Sequence, residues 1–174
     1  MKNLFEKKSP IVSITKCDDY NIENVYIALQ KALDLLGGLK TIIKPNDRVL
    51  LKINLLAPTK PEQAVTTHPV VIKSLIKLVK DHGGIPWIGD SSGGPFLGLT
   101  SRAFEISGIN EIAQETGAVI KNFDTEEIVT IENPNAKQIK TFRIARSIIE
   151  ADVIISVAKC KIHELLLFTG AVKN

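Results

Sequence analysis

The chain has 174 residues, with 22 lysines and arginines against 19 aspartates and glutamates, a formal charge of +3. Hydrophobic residues make up 44% and charged residues 24%, a balance that excludes a disordered tail, a collagen-like fibre and a coiled-coil rod. With 5% aromatic residues and no basic block, neither a base-stacking platform nor a phosphate-tracking groove is expected, so nucleic acid is not an expected partner. Cys17 and Cys160 lie far apart and argue for a reducing compartment rather than a disulfide framework. The charged start has no signal-peptide core, and no apolar run reaches the ~18 residues of a membrane span. A cytoplasmic protein without a membrane partner is expected. No repeat or linker divides the sequence, so residues 1–174 read as a single α/β domain.

In chain order, Pro10–Thr15 is apolar and β-branched and predicts a first strand. Asn21 predicts a helix N-cap, with Glu23 in the first turn and Val25, Ala28, Leu29, Ala32 and Leu36 at helical spacing before Gly37-Gly38. Asp47–Asn54 predicts a strand covered on both faces. Thr66-Thr67-His68-Pro69 reads as a helix start with Pro69 near the first helical position. Lys73, Lys77, Lys80 and Asp81 then form a polar stripe opposite Val71, Ile72, Leu75, Leu78 and Val79. Gly83-Gly84 ends that helix and Ile85–Gly89 begins a third strand. Two short helices, Ser101–Ser107 and Ile109–Thr116, precede a strand at Ala118–Ile120. Glu127–Ile131 and Gln138–Ile144 alternate around Asn133-Pro134-Asn135 as a hairpin does. A short helix at Ala145–Glu150 leads into the apolar strand Asp152–Val157. The alternation predicts an α/β fold: a mostly parallel, Rossmann-like open sheet with helices on both faces and one antiparallel hairpin excursion.

In such sheets ligands bind beyond the carboxyl ends of the strands, so the residues following each apolar run are the candidates. Lys52 and Asn54 follow one strand, Asp90-Ser91-Ser92-Gly93-Gly94 another, and Lys159-Cys160-Lys161-Ile162-His163 the last. Lys159 and Lys161 share a face if that strand continues. Gly93-Gly94 follows a strand, so helix capping does not explain it; an anion-holding nest and a tight empty turn are both open. It matches neither the phosphate loop nor the dinucleotide fingerprint.

Each candidate has a plainer role as well. Lys52 can snorkel from an edge, and Asp90 can cap its own turn. His68 is expected to cap a helix and His82 to sit at a helix C-terminus. The lysines before His163 are expected to depress its pKa and keep it neutral, as a base requires. Cys160, pointed away from its neighbours by strand alternation, is expected to be buried and inert. No Cys-x-x-Cys, His-Glu-x-x-His or Gly-x-Ser-x-Gly is present, and no metal site is expected.

The segments Val49–Asn54, Thr66–Pro69, Gly89–Gly93 and Ala151–Ile155 resemble, in order, the family described as domain of unknown function 362. Lys159–His163 through Thr169-Gly170-Ala171-Val172-Lys173-Asn174 is similar to its most distinctive motif. The similarity covers nearly the whole chain. It departs where Ile53 replaces a proline and Ile162 a threonine, the latter losing a hydroxyl. The resemblance implies iron-sulfur clusters in longer relatives, held by a cysteine-rich C-terminal portion, and no cofactor in this chain, which lacks that portion. It also implies truncation at the C-terminal end, inside the motif, with the missing portion completing the site or the sheet. Leu165, Leu166, Leu167 and Phe168 are then expected to be partly uncovered and to drive homo-oligomers.

The leading functional expectation is a site for a small anionic molecule, a carboxylate or phosphate. Lys161 and His163 are the catalytic candidates. Lys52, Asn54, Thr67, His68, Asp90, Ser91, Ser92, Gly93, Lys159, Thr169, Lys173 and Asn174 are the ligand-binding candidates. The alternative is a redox-associated module whose lysine rim docks a ferredoxin-like domain or protein. No reaction is specified by these residues.

Overall fold

The computed structural model describes residues 10–92, 98–163, 167–172 and 174, residue 163 by its backbone alone. The helices are α1 (Ile22–Asp34), α2 (Pro69–Asp81), α3 (Leu99–Ile106), α4 (Ile109–Thr116) and α5 (Arg146–Glu150). The strands are β1 (Arg48–Ile53), β2 (Ile85–Asp90), β3 (Val119–Asn122), β4 (Ile128–Glu132), β5 (Thr141–Ala145), β6 (Val153–Val157), β7 (Lys161–His163) and β8 (Leu167–Thr169). Four of these form one parallel sheet in the order β3-β2-β1-β6. The pairs β4–β5 and β7–β8 are antiparallel. The result is an α/β fold with two hairpins.

Local chemistry sets the helix ends as the sequence predicts. The Asn21 side chain accepts from the backbone N–H groups of Glu23 and Asn24 and starts α1. His68 starts α2, its Nδ1 accepting from Val70 N at 3.2 Å, with Pro69 following at the position where a missing N–H costs nothing. The polar stripe of α2 is paired, Lys77 with Asp81 and Lys73 with Glu115. After α2 the chain turns through Gly83 at φ +79°, a conformation that favours glycine.

β1 is the central strand, and Val49, Leu50, Leu51 and Ile53 are fully buried. Alternation sends Val49, Leu51 and Ile53 into a core with Ile72, Ile76 and Val79 of α2, Phe104 of α3, Ile109 and Ile112 of α4, and Ile88 of β2. On the other face a Cβ at Gly89 would lie 2.6 Å from the Phe123 ring and 2.8 Å from Leu50, so glycine is what lets Phe123 close over the sheet.

Three expectations need correction. Pro10–Thr15 is not a strand: no described strand pairs with it, and β-branched composition alone does not make a strand without a neighbour to pair with. Its Ile11, Val12 and Ile14 are exposed. Secondly, β6 ends at Val157 and a second hairpin follows. Its strands, three residues each, are too short for periodicity to register. Thirdly, Cys160 is exposed, because the alternation that would have buried it stops with β6.

Candidate functional site

The carboxyl ends of β1 and β2, the β7–β8 hairpin and Asn174 surround a cavity of about 160 Å³. Lys52, Asn54, Leu55, Leu56, Asp90, Ser91, Ser92, Lys161, Thr169 and Asn174 line it. Among these are two lysines and one aspartate.

The two lysines are held differently. Lys52 Nζ lies 2.6 Å from Asp90 Oδ1 and 3.0 Å from the Ile53 carbonyl. Asp90 Oδ2 accepts from Leu55 N at 2.7 Å and its Oδ1 from Ser91 N at 2.7 Å. Asp90 thus caps its own turn, as the sequence allowed, and also ties β2 to the chain leaving β1. Burial raises the Asp90 carboxyl pKa above its ordinary value, against the opposing pull of Lys52 and of the two backbone N–H groups. Lys161 Nζ donates to Asn54 Oδ1 at 2.7 Å and to the Val65 carbonyl at 2.6 Å. Both acceptors are neutral oxygens of the chain, and they fix the ammonium in place.

Hydroxyls and amides complete the wall. Asn174 donates from Nδ2 to the Lys52 carbonyl and to Ser156 Oγ, so residue 174 is fastened across β1 and β6. Ser91 Oγ donates to Asp124 Oδ1 at 2.6 Å, and Ser92 N donates to Thr100 Oγ1, which itself donates to Asp124. Thr169 is 5% exposed, and its buried Oγ1 has no hydrogen-bond partner. Other buried hydroxyls share that condition (Ser13, Thr66, Ser74 and Ser147), but of these Thr169 alone lines the cavity.

Other candidates serve the fold. Thr67 Oγ1 accepts from Asn54 N and donates to the Val157 carbonyl, joining β1 to β6 from a buried position. His68 caps α2 and stacks on Tyr20 with ring centroids 3.5 Å apart. Its pKa is lowered, first by burial and then by Lys159. Lys159 belongs to the link between β6 and β7, so it shares no strand face with Lys161 and does not line the cavity. Gly93, Lys173 and the His163 side chain lie outside the described residues.

Asp124 and Thr100 were missed by sequence reasoning. Asp124 lies just beyond the end of β3, where the rule applied to the other strand ends would have found it. Thr100, in the first turn of α3, has no such signal. A larger hollow of about 380 Å³ lies between residues 15–20 and α1. Its charged residues are acidic and engaged, Asp18 with Lys16 and Asp19 with Asn24 and Asn21 N, and it is away from the strand ends.

The model of the family described as domain of unknown function (DUF362) matches residues 49–174, the stretch that carries the described strands from Val49 of β1 onward and all the lining residues of this cavity. The chain belongs to this family. A thylakoid-associated protein, sll1697, of Synechocystis sp. is 32% identical over 163 residues. That alignment covers 94% of this chain and 49% of the relative, so the chain spans about half the relative's length. No solved structure matches the chain.

This chain's own donors do not fit an iron-sulfur cluster. Its two cysteines are both exposed and lie far apart in sequence, whereas a cubane cluster takes four thiolates. Among the described residues no group of three or more His, Cys, Asp or Glu could hold a metal ion. No described helix is long and apolar enough to cross a membrane.

Proposed function

We propose that this DUF362 chain binds a small anion, a carboxylate or a phosphate, in the cavity beyond the carboxyl ends of β1 and β2. The observation that carries the reading is the unpartnered, buried Thr169 hydroxyl in a wall shared with Lys52 and Lys161. A buried hydroxyl without a partner costs stability unless something else uses it. The presence of Lys52 and Lys161 in the same wall favours an anion as that something. A cavity of about 160 Å³ suits a ligand of few heavy atoms, since a roughly 150 Å³ cavity accepts benzene.

In this reading Lys52 and Lys161 neutralise the ligand, Asn54 and Asp90 hold the two ammonium groups apart, and Ser91, Ser92 and Asn174 orient it. Gly93, Lys159 and Lys173 are carried over from the sequence as further ligand-binding candidates. Where the bound molecule reacts, Lys161 and His163 of β7 are the residues to which we assign charge stabilisation and proton transfer. The exposed free thiols of Cys17 and Cys160 suit the reducing, cytoplasmic setting this assignment carries. The lysines line a recess rather than a flat surface, which supports an anion site over a docking rim for a ferredoxin-like partner.

Calorimetric titration of the chain with inorganic phosphate, acetate and oxalate tests the proposal. At least one is expected to bind, and Lys161→Ala to weaken it roughly tenfold, the value of a charge-assisted hydrogen bond. Absence of heat and of any thermal shift with all three anions would overturn it.

A further inference from the structure

The direction of the protons in the cavity wall is set from outside it. Asp124 lies just beyond β3 and does not line the cavity, yet both its carboxylate oxygens are engaged by hydroxyls next to it. Ser91 Oγ donates to Oδ1 at 2.6 Å, and Thr100 Oγ1 donates to Oδ2. An ionised carboxylate only accepts, so each of these hydroxyls has spent its one proton on Asp124. Thr100 Oγ1 therefore meets Ser92 Oγ, 2.9 Å away, as the acceptor, and Ser92 is the donor in that contact.

Ser91 and Ser92 both line the cavity. A hydroxyl has one proton and two lone pairs, so with their protons committed these oxygens offer lone pairs to whatever else they touch. Asn174 is committed in the same sense. Its Nδ2 donates to the Lys52 carbonyl and to Ser156 Oγ, which leaves Oδ1, 3.5 Å from Lys52 Nζ, as its group for a ligand. The Asp90 carboxylate in the same wall is an acceptor too. A bare carboxylate sets its own lone pairs against these oxygens, and polar groups left facing each other unpaired cost affinity. An anion that turns its charged end to Lys52 and Lys161 and a donor of its own to the serines satisfies both parts of the wall. Leu55 and Leu56, also in the wall, give an apolar neighbour to a carbon joining the two groups, which a free phosphate lacks. Granting the anion site proposed above, on which this rests, we propose that its ligand is a small hydroxycarboxylate whose hydroxyl donates to the Ser91-Ser92 turn, and that Asp124 is the positioning residue that makes those serines acceptors.

Calorimetric titration with glycolate and with acetate, which differ by one hydroxyl, tests it. Glycolate is expected to bind about tenfold more tightly, the value of one hydrogen bond. Asp124→Asn keeps the side-chain shape but brings amide protons to one of the two hydroxyls. In either orientation of the amide one serine then turns its proton to the cavity, Ser91 directly or Ser92 through Thr100. The variant is expected to bind acetate more tightly and to lose the preference for glycolate, an outcome that a merely structural role would not produce. Ser91→Ala is expected to reduce the preference severalfold and decides on the same ratio if Asp124→Asn fails to fold. Equal affinity for glycolate and acetate in the native chain would overturn the proposal and leave the anion site standing, as would binding of phosphate with neither of the two. A preference that both variants retain would overturn it as well. Absence of binding by glycolate, acetate and phosphate alike would remove the anion site and this proposal with it.

Discussion

Lys52 Nζ and Asp90 Oδ1 stand 2.6 Å apart, the lysine side chain 23% exposed and the aspartate 5%. β1 and β2 are parallel neighbours, so their carboxyl ends meet, and this pair closes the floor of the cavity. Taking a carboxylate out of water is costly, and the ammonium together with two backbone N–H groups offsets that cost.

Removing the ammonium should expose the imbalance. Lys52→Met is expected to destabilise the chain by about 3 kcal/mol, the lower end for breaking a buried pair because Lys52 keeps some solvent contact. Urea denaturation, read as a fall in midpoint at constant slope, checks this. An unchanged midpoint would mean that the pair contributes nothing to the fold.

The pH response of Asp90 runs opposite to that of an ordinary surface carboxylate. Its folded pKa is raised above the usual 3.8, principally by burial, so the folded state holds its proton more tightly than the unfolded chain does. The stability it contributes is fully present below 3.8 and is lost as pH rises through the raised folded value. Asp90→Asn removes that dependence. The stability of the native chain minus that of the variant is therefore expected to fall as pH climbs from 3.8, measured by denaturation at a series of pH values. Surface carboxylates such as Asp152, held low chiefly by the Arg48 side chain, act in the other direction and are common to both proteins.

His68 carries a second pH signature. It accepts a hydrogen bond at Nδ1, which requires the neutral ring, and its pKa is depressed from 6.5 by burial and by Lys159. The cap's contribution is present above 6.5 and lost as pH falls through the depressed folded value. His68→Asn keeps a capping side chain without a titrating ring, so its stability is expected to be flat across that window. His68→Ala is expected to cost about 1 kcal/mol at neutral pH. Thermal melts from mildly acidic to neutral pH distinguish the three proteins.

Thr169 separates a structural hydroxyl from one reserved for a ligand. Thr169→Val removes a buried Oγ1 that has no partner and retains the side-chain shape. Stability is expected to hold or to rise by up to about 1 kcal/mol, while affinity for the bound anion falls roughly tenfold. Calorimetry and a melting curve on the same variant give both numbers. A loss of stability without loss of affinity would place the hydroxyl in the fold alone.

Much of the architecture was legible before any coordinates. Periodicity and caps located α1, α2, the two short helices after β2, the parallel strands and the first hairpin, because Asn21, His68-Pro69 and the paired glycines act through neighbours a few residues away. The strand-end rule found Lys52, Asn54, Asp90 and Lys161, and the family resemblance supplied Thr169 and Asn174; all six line one cavity. Local signals did less well where a partner was needed. Pro10–Thr15 has a strand's composition and no strand beside it. Asp124 sat beyond a strand end that went unexamined.

The amino-acid order by itself determined which segments are helical or extended and which polar residues fall at strand ends, since those properties depend on neighbours within a turn or two. Only the tertiary structure decided that β1 lies between β2 and β6, that Lys52 meets Asp90 while Lys161 meets Asn54, and that Thr67 joins β1 to β6. Those outcomes depend on the lateral order of strands and on where β6 stops. Side-chain periodicity reports the face a residue occupies and carries no information about which strand lies next to it.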